Sequence, residues 1–173
     1  WRRVLRSADG GNLPFYTMQL SAIGGRPSWG RFRDMQRRLA EEDARTYLVV
    51  THDVGERGNV HPNRKDVQAA RLAQTILKGE ESPVVTRAEV KNGVVMLTFS
   101  EELVGDAGEF EVCGEDGVFH AAEAAVAGNM VTLRSERVAL PERVRYAWGC
   151  FTRANLRGKG SGLVVSSVML KVR

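Results

Sequence analysis

Apolar and polar positions follow two different rhythms along this chain, and the change falls near residue 80. In the first half, short apolar runs alternate with segments of helical spacing. "LPFYTMQL" (13–20), with glycines before it and "GGRP" after it, predicts a short strand buried on both faces. Ser28 offers an N-cap. Trp29, Phe32, Met35 and Leu39 then recur at helical spacing, with Arg31, Arg33, Arg37 and Arg38 mostly elsewhere around the wheel, which predicts an amphipathic helix with a solvated basic face. "TYLVVT" (46–51) is the next β-rich run. After the loop 52–60, the segment from Pro62 to Lys78 carries Val67, Ala70, Ala73, Ile76 and Leu77 and closes at Gly79, the pattern of a second helix. Strand, helix, strand, helix implies a right-handed crossover between parallel strands. Two strands do not make a doubly wound domain that stands alone, so the missing ones must come from elsewhere.

At "GEESP" (79–83) the period becomes two. "VVMLTF" (94–99), "EFEVC" (109–113), "GVFHAA" (117–122), "MVTLRS" (130–135), "RVRYAWG" (143–149) and "LVVSSVML" (163–170) read as short strands. The turn pairs Asn92-Gly93, Asp116-Gly117 and Gly128-Asn129 lie between several of them. That spacing predicts an antiparallel β-sandwich over 80–173, following a partial α/β unit over 1–79.

Composition narrows the function classes. With 43% hydrophobic and 27% charged residues among 173, the chain can bury a core, and disorder is set aside. No run of about 18 apolar residues is present, so no membrane partner is expected. The chain opens on Trp1 and Arg2 without a signal-peptide series, which reads as the interior of a longer polypeptide. The net charge is unevenly spread: 14 Lys and Arg against 8 Asp and Glu over 1–79, then 11 against 13 over 80–173. Basic residues interleaved with exposed aromatics are absent, so nucleic acid is not the expected partner, while a basic surface suits an acidic sugar. Two cysteines, Cys113 and Cys150, are too few for a disulfide framework and lack metal-ligand spacing; two buried thiols or one bridge are the alternatives.

Candidate chemistry sits in "GNVHPNRK" (58–65), on the loop leaving the carboxyl end of the second strand, where open parallel sheets gather their ligand chemistry. An imidazole at His61 can take a proton from a serine and return it to a leaving alkoxide if its other nitrogen is held in the correct tautomer, by Asp53 or by a backbone carbonyl. By spacing alone, a histidine that only caps the helix fits equally well. His52 and His120 have no second imidazole or cysteine at metal spacing and read as ordinary partly buried histidines. Trp148, two residues after Tyr146, reads as sandwich core on the same face.

"NLPFYTMQL", "RPSWGRFRDMQRRL" and "THDVGERGNVHPNRKDVQAARLAQTIL", followed by "NGVVMLTFS", "FEVCGEDGVFHAAEAAVAGNMVTLRS" and "VRYAWGCFTRANL", together resemble the carboxyl-terminal part of the sialate O-acetylesterase family of SGNH hydrolases. The likeness runs from about residue 1 to 156, with "HPNRK" and "RYAW" its most specific pieces. It implies an α/β fold: the carboxyl-terminal part of a flavodoxin-like parallel-sheet hydrolase domain, then the sandwich. It implies His61 as general base and a serine nucleophile near the start of the hydrolase domain, with glycine and asparagine from intervening blocks at the oxyanion hole. Neither a Gly-Asp-Ser block nor a "G.S.G" elbow occurs here, since Arg26 stands two places before Ser28 and Lys159 two before Ser161. The nucleophile is therefore expected in an amino-terminal remainder, in the same or another chain. Gly58 stands where many relatives carry an aspartate three residues before the histidine, which leaves Asp53 as candidate orienter against a serine–histidine dyad. Asn63 and Lys65 match the segment that fixes the helix start, and Arg33, Gln36 and Arg37 match a structural helix. After residue 156, "RGKGSGLVVSSVMLKVR" departs from the family pattern.

The activity so implied is carbohydrate O-acetylesterase, acting on an acetylated sugar such as a sialic acid or a plant-type polysaccharide, with no metal or redox cofactor and a secreted or periplasmic location. Two alternatives stand beside it: a carbohydrate-binding or docking sandwich without activity, and an esterase relative that has lost it.

Overall fold

The computed structural model describes residues 2–5 and 12–172; Trp1 and the glycines ahead of the first strand lie outside them. A short helix α1 (Arg2–Leu5) precedes strand β1 (Phe15–Met18), helix α2 (Trp29–Glu41), strand β2 (Thr46–Val49) and helix α3 (Asp66–Lys78). The β-rich half follows as β3 (Val85–Lys91), β4 (Val94–Phe99), β5 (Leu103–Val104), β6 (Phe110–Cys113), β7 (His120–Ala121), β8 (Glu123–Ala127), β9 (Met130–Arg134), β10 (Arg143–Tyr146), β11 (Arg157–Gly158) and β12 (Val168–Lys171). No helix among the described residues is long and apolar enough to cross a membrane.

β1 and β2 pair in parallel, Phe15 opposite Thr46 through Met18 opposite Val49, with α2 as the crossover. This is the whole of the parallel sheet among the described residues. The larger sheet that the sequence implies is here two strands. Nor is β1 buried on both faces as its composition predicts: Phe15 and Met18 are exposed, because no further layer of the described chain covers them.

Two antiparallel sheets, in the orders β3-β4-β9-β8 and β12-β10-β6-β7, form the sandwich, with a β5-β11 pair beside them. Val95, Leu97 and Phe99 of β4 point inward at period two and meet Val131 and Leu133 of β9, Phe110 and Val112 of β6, and Val144 and Tyr146 of β10 in one core. The β3-β4 hairpin turns on Asn92 and Gly93, both at positive φ (52° and 75°), as the Asn-Gly pair requires. The run 163–170 is only partly strand. Residues 163–167 form a buried irregular strip in which Ser167 Oγ donates to Ala147 O at 2.7 Å, and regular pairing with β10 starts at Val168.

Both long helices turn the other way from their apolar spacing. The buried residues of α2 are Gly30, Arg33, Asp34 and Arg37, while Phe32, Met35 and Leu39 are exposed. The solvated basic face is thus replaced, at Arg33 and Arg37, by a buried polar one. The partner surface explains it: α2 lies against backbone carbonyls and the end of β12, where Asp34 Oδ1 accepts from Met169 N at 3.1 Å and from Arg37. Ser28 precedes α2 without a capping bond from its side chain. α3 starts at Asp66 rather than Pro62 and buries Gln68 and Thr75; Ala70, Ala73, Ile76 and Leu77 face out. Gly79 closes it in the left-handed conformation, φ 68°, donating to Thr75 O.

Candidate active site

The loop after β2 is held at its root by three anchors. Ala22 and Gly55 form a parallel bridge that continues the β1-β2 pairing, with Ala22 N donating to Val54 O at 2.7 Å. Gly55 sits at φ 132° with the Ala22 backbone packed where a Cβ would stand, so only glycine fits. Gly24 N donates to Arg57 O at 2.8 Å.

Within the loop, Glu56 is the organiser. Its Oε1 accepts from Asn63 N at 2.7 Å and its Oε2 from Asn59 Nδ2 at 3.3 Å. Asn59 Oδ1 in turn accepts from His61 N at 2.9 Å, which pins the histidine's backbone. Pro62 is buried and its carbonyl accepts from Lys65 Nζ at 2.6 Å, so the residues matched to the "HP..K" segment do fix the approach to α3. The His61 side chain is exposed and is not part of the lining of the cavity of about 240 Å³ formed by Val54, Glu56, Pro62, Val67 and Gln68 among others, although its chain neighbour Pro62 is. Glu56 and Asn59 are the residues that sequence reading passed over as contributors here. Their signal was a carboxylate and an amide three apart, just ahead of the His-Pro pair.

Asp53 is placed at the root of the same loop, but its carboxylate faces α3. Arg71 Nη1 donates to Oδ1 at 2.6 Å and Nη2 to Oδ2 at 2.7 Å, while Nη1 also reaches Val50 O at 2.9 Å. Burial pushes the Asp53 carboxyl up; the paired Arg71 guanidinium outweighs it and holds the group below its ordinary value. Among the described residues, no hydrogen bond joins Asp53 to His61.

His52, expected to be partly buried, is wholly enclosed. Its Nε2 lies 2.7 Å from Val165 O, a carbonyl that can only accept, so Nε2 carries the proton. Among the described residues Nδ1 has no hydrogen-bond partner, and burial lowers the imidazole to about 4. This bond ties the loop root to the strip 163–167. Beside it Gln19 Nε2 donates to Ser166 Oγ at 2.7 Å. Arg33 makes the other clamp between the two halves, donating to Leu20 O (2.7 Å), Ser21 O (3.1 Å), Gly149 O (2.9 Å) and Cys150 O (3.1 Å). The loop is therefore supported from below by the sandwich.

Trp148 is not sandwich core. Ala147, at φ 50°, breaks the strand after Tyr146, so Trp148 leaves the core face and packs half-buried against Gly30 of α2. Arg145 stacks over Phe119 at 4.0 Å and lies 5.7 Å from Trp148. Cys113 is buried and Cys150 half-buried, and both thiols are free. Among the described residues, no group of three His, Cys, Asp or Glu side chains is placed to hold a metal ion.

The fold is similar to that of a carbohydrate acetylesterase from Xanthomonas citri, with a TM-score of 0.80 and 29% sequence identity. The match covers 98% of this chain and 44% of that one, so this chain spans less than half of the relative's length. No family model matches the chain, and no curated protein does. The likeness to an esterase of acetylated sugars, drawn first from sequence motifs, is met at the level of a carbohydrate acetylesterase.

Proposed function

We propose that this chain is the histidine-bearing part of a carbohydrate O-acetylesterase of the sialate O-acetylesterase type. The observation that carries the reading is His61: its backbone is pinned by Asn59 and its imidazole is open to an incoming group on the loop that leaves β2, in a chain similar to a carbohydrate acetylesterase. A serine on a segment outside this chain supplies the nucleophile. His61 takes the serine proton as Oγ attacks the acetyl carbonyl, and gives it to the departing sugar alkoxide, leaving acetyl-serine and a free sugar hydroxyl. It then deprotonates the water that releases acetate. Oxyanion donors lie on the same outer segment, so the 173 residues alone are inert.

Asp53, the first candidate for orienting the imidazole, acts in this arrangement through Arg71, holding the loop root to α3. A carbonyl then fixes the His61 tautomer, as in a serine–histidine dyad. Arg57, exposed on the loop and stacked 4.4 Å over Phe151, favours a sugar bearing a carboxylate, and sialic acid acetylated at position 9 is the first substrate to try. The binding-module alternative asks for an exposed aromatic cluster on a concave face, whereas Phe119 and Trp148 flank Arg145.

The test is acetate release by the complete polypeptide from 9-O-acetylated sialic acid and from acetylated xylan, with His61→Ala alongside. Release that His61→Ala lowers by three orders of magnitude or more supports the reading. No release from either substrate, or release indifferent to the substitution, overturns it.

A further inference from the structure

We infer that the cavity between the loop after β2 and the first turn of α3 is a subsite for one neutral pyranose, the ring next to the acetylated sugar, held by the side-chain amide of Gln68. The inference rests on the esterase reading above. Gln68 is the observation that points to a ligand. It lies in the first turn of α3, is 8% exposed and lines the cavity, and neither its Nε2 nor its Oε1 has a hydrogen-bond partner among the described residues. Leaving such a group unpaired costs about 1–3 kcal/mol, which a ligand in the cavity would recover. The volume of about 240 Å³ is a little under the usual range of ligand pockets and suits a single sugar ring.

The lining sets the chemical class. A planar amide with two donors and an acceptor matches adjacent sugar hydroxyls, each of which both donates and accepts. Glu56 lines the same cavity. Its Oε1 and Oε2 accept from Asn63 N and Asn59 Nδ2, which leaves each oxygen a second acceptor position for a hydroxyl. Val54, Pro62 and Val67 supply apolar surface for the C–H face of the ring. Two carboxylates, Glu56 and Asp66, stand in the lining against one guanidinium, Arg64, which is already paired with Asp66 at 2.7 Å. A sugar carboxylate would meet Glu56 there without a free counter-charge, so the ring taken is neutral. The carboxylate that Arg57 favours belongs to the acetylated sugar and not to this ring. The loop links the two places: Pro62 lines the cavity, His61 precedes it, and Glu56 holds the His61 backbone through Asn59.

Titration of the complete polypeptide with acetyl-free sugars, followed by the NMR signals of the Gln68 side-chain amide, tests the subsite without any hydrolysis. Methyl β-D-xylopyranoside or methyl β-D-galactopyranoside should shift those signals with a dissociation constant on the order of 1 mM, and D-glucuronate should bind at least ~10-fold more weakly. Gln68→Leu should weaken binding of the neutral sugar at least ~10-fold, read on the sugar's own signals, and should raise KM for acetylated xylotriose more than it lowers kcat. Should Gln68→Leu fail to fold, the wild-type titration decides alone. Shifts without acetate release from any substrate uphold the subsite and overturn only the esterase reading. Acetate release with Gln68 signals indifferent to both neutral sugars overturns the subsite, as does a folded Gln68→Leu that binds like wild type. Tighter binding of glucuronate overturns the neutral class. Gln68 amide protons already protected from exchange before sugar is added give the cavity to another part of the polypeptide and overturn the subsite as well.

Discussion

Asp53 and Arg71 face each other as a two-pronged ion pair, at 2.6 and 2.7 Å, joining the root of the His61 loop to α3. Both side chains are largely enclosed, at 16% and 14% exposure. Asp53→Asn should therefore destabilise the chain by about 2–4 kcal/mol, because it leaves a mostly buried guanidinium without its counter-charge. Urea unfolding of wild type, Asp53→Asn, Arg71→Met and the double variant measures the coupling. In the dyad arrangement, turnover falls in step with loop stability and Arg71→Met lowers it comparably. A loss of turnover confined to Asp53→Asn, at unchanged stability, would make Asp53 the direct orienter of His61.

His52 makes the fold sensitive to acid. Its folded value of about 4 lies below its ordinary 6.5, so the unfolded chain binds the proton more readily between those values. The stability due to neutral His52 is complete above pH 6.5 and is lost as pH falls through that window to 4, by up to about 3 kcal/mol. Urea midpoints across pH 4 to 7 should show this slope in wild type, and His52→Gln should flatten it.

Arg33 is buried with four backbone carbonyls on its guanidinium, two from the segment after β1 and two from the strip after β10. Burial lowers its ordinarily very high value to about 10, still charged at neutral pH. Arg33→Met strips all four acceptors of their donor and should destabilise by at least ~3 kcal/mol. Arg33→Lys should recover only part, since an ammonium cannot reproduce the planar fork. Thermal unfolding checks both, and a loss under ~1 kcal/mol for Arg33→Met would show that the clamp contributes little.

The two thiols should separate cleanly under alkylation. Backbone N–H groups of Arg26, Phe151 and Gly25 around the half-buried Cys150 lower its value, whereas burial raises that of Cys113. Iodoacetamide at pH 7.5 should label Cys150 at least ~10-fold faster, read by peptide mass spectrometry. Equal rates would mean that the end of β6 opens and exposes Cys113 to the reagent as readily as Cys150.

What the amino-acid sequence determined by itself is what depends on neighbours a few residues apart. The Asn92-Gly93 hairpin, the Gly79 stop and the inward row Val95, Leu97 and Phe99 follow from turn chemistry and a period of two, and the structure has them. The loop carrying His61 at the carboxyl end of β2 was legible in the same way. Tertiary structure alone decided which side of each helix points in and what each polar group meets. Apolar spacing on α2 announces a face but not its partner. The partner turned out to be a row of carbonyls at Gly149 and Cys150, more than a hundred residues on, so Arg33 went inside and Phe32, Met35 and Leu39 stayed out. Asp53 lies eight residues from His61 in the chain, yet its carboxylate went to Arg71, eighteen residues away, because one turn of α3 brings that guanidinium to the loop root. Long-range pairing is set by where the backbone brings charges and carbonyls together, and no local spacing encodes that.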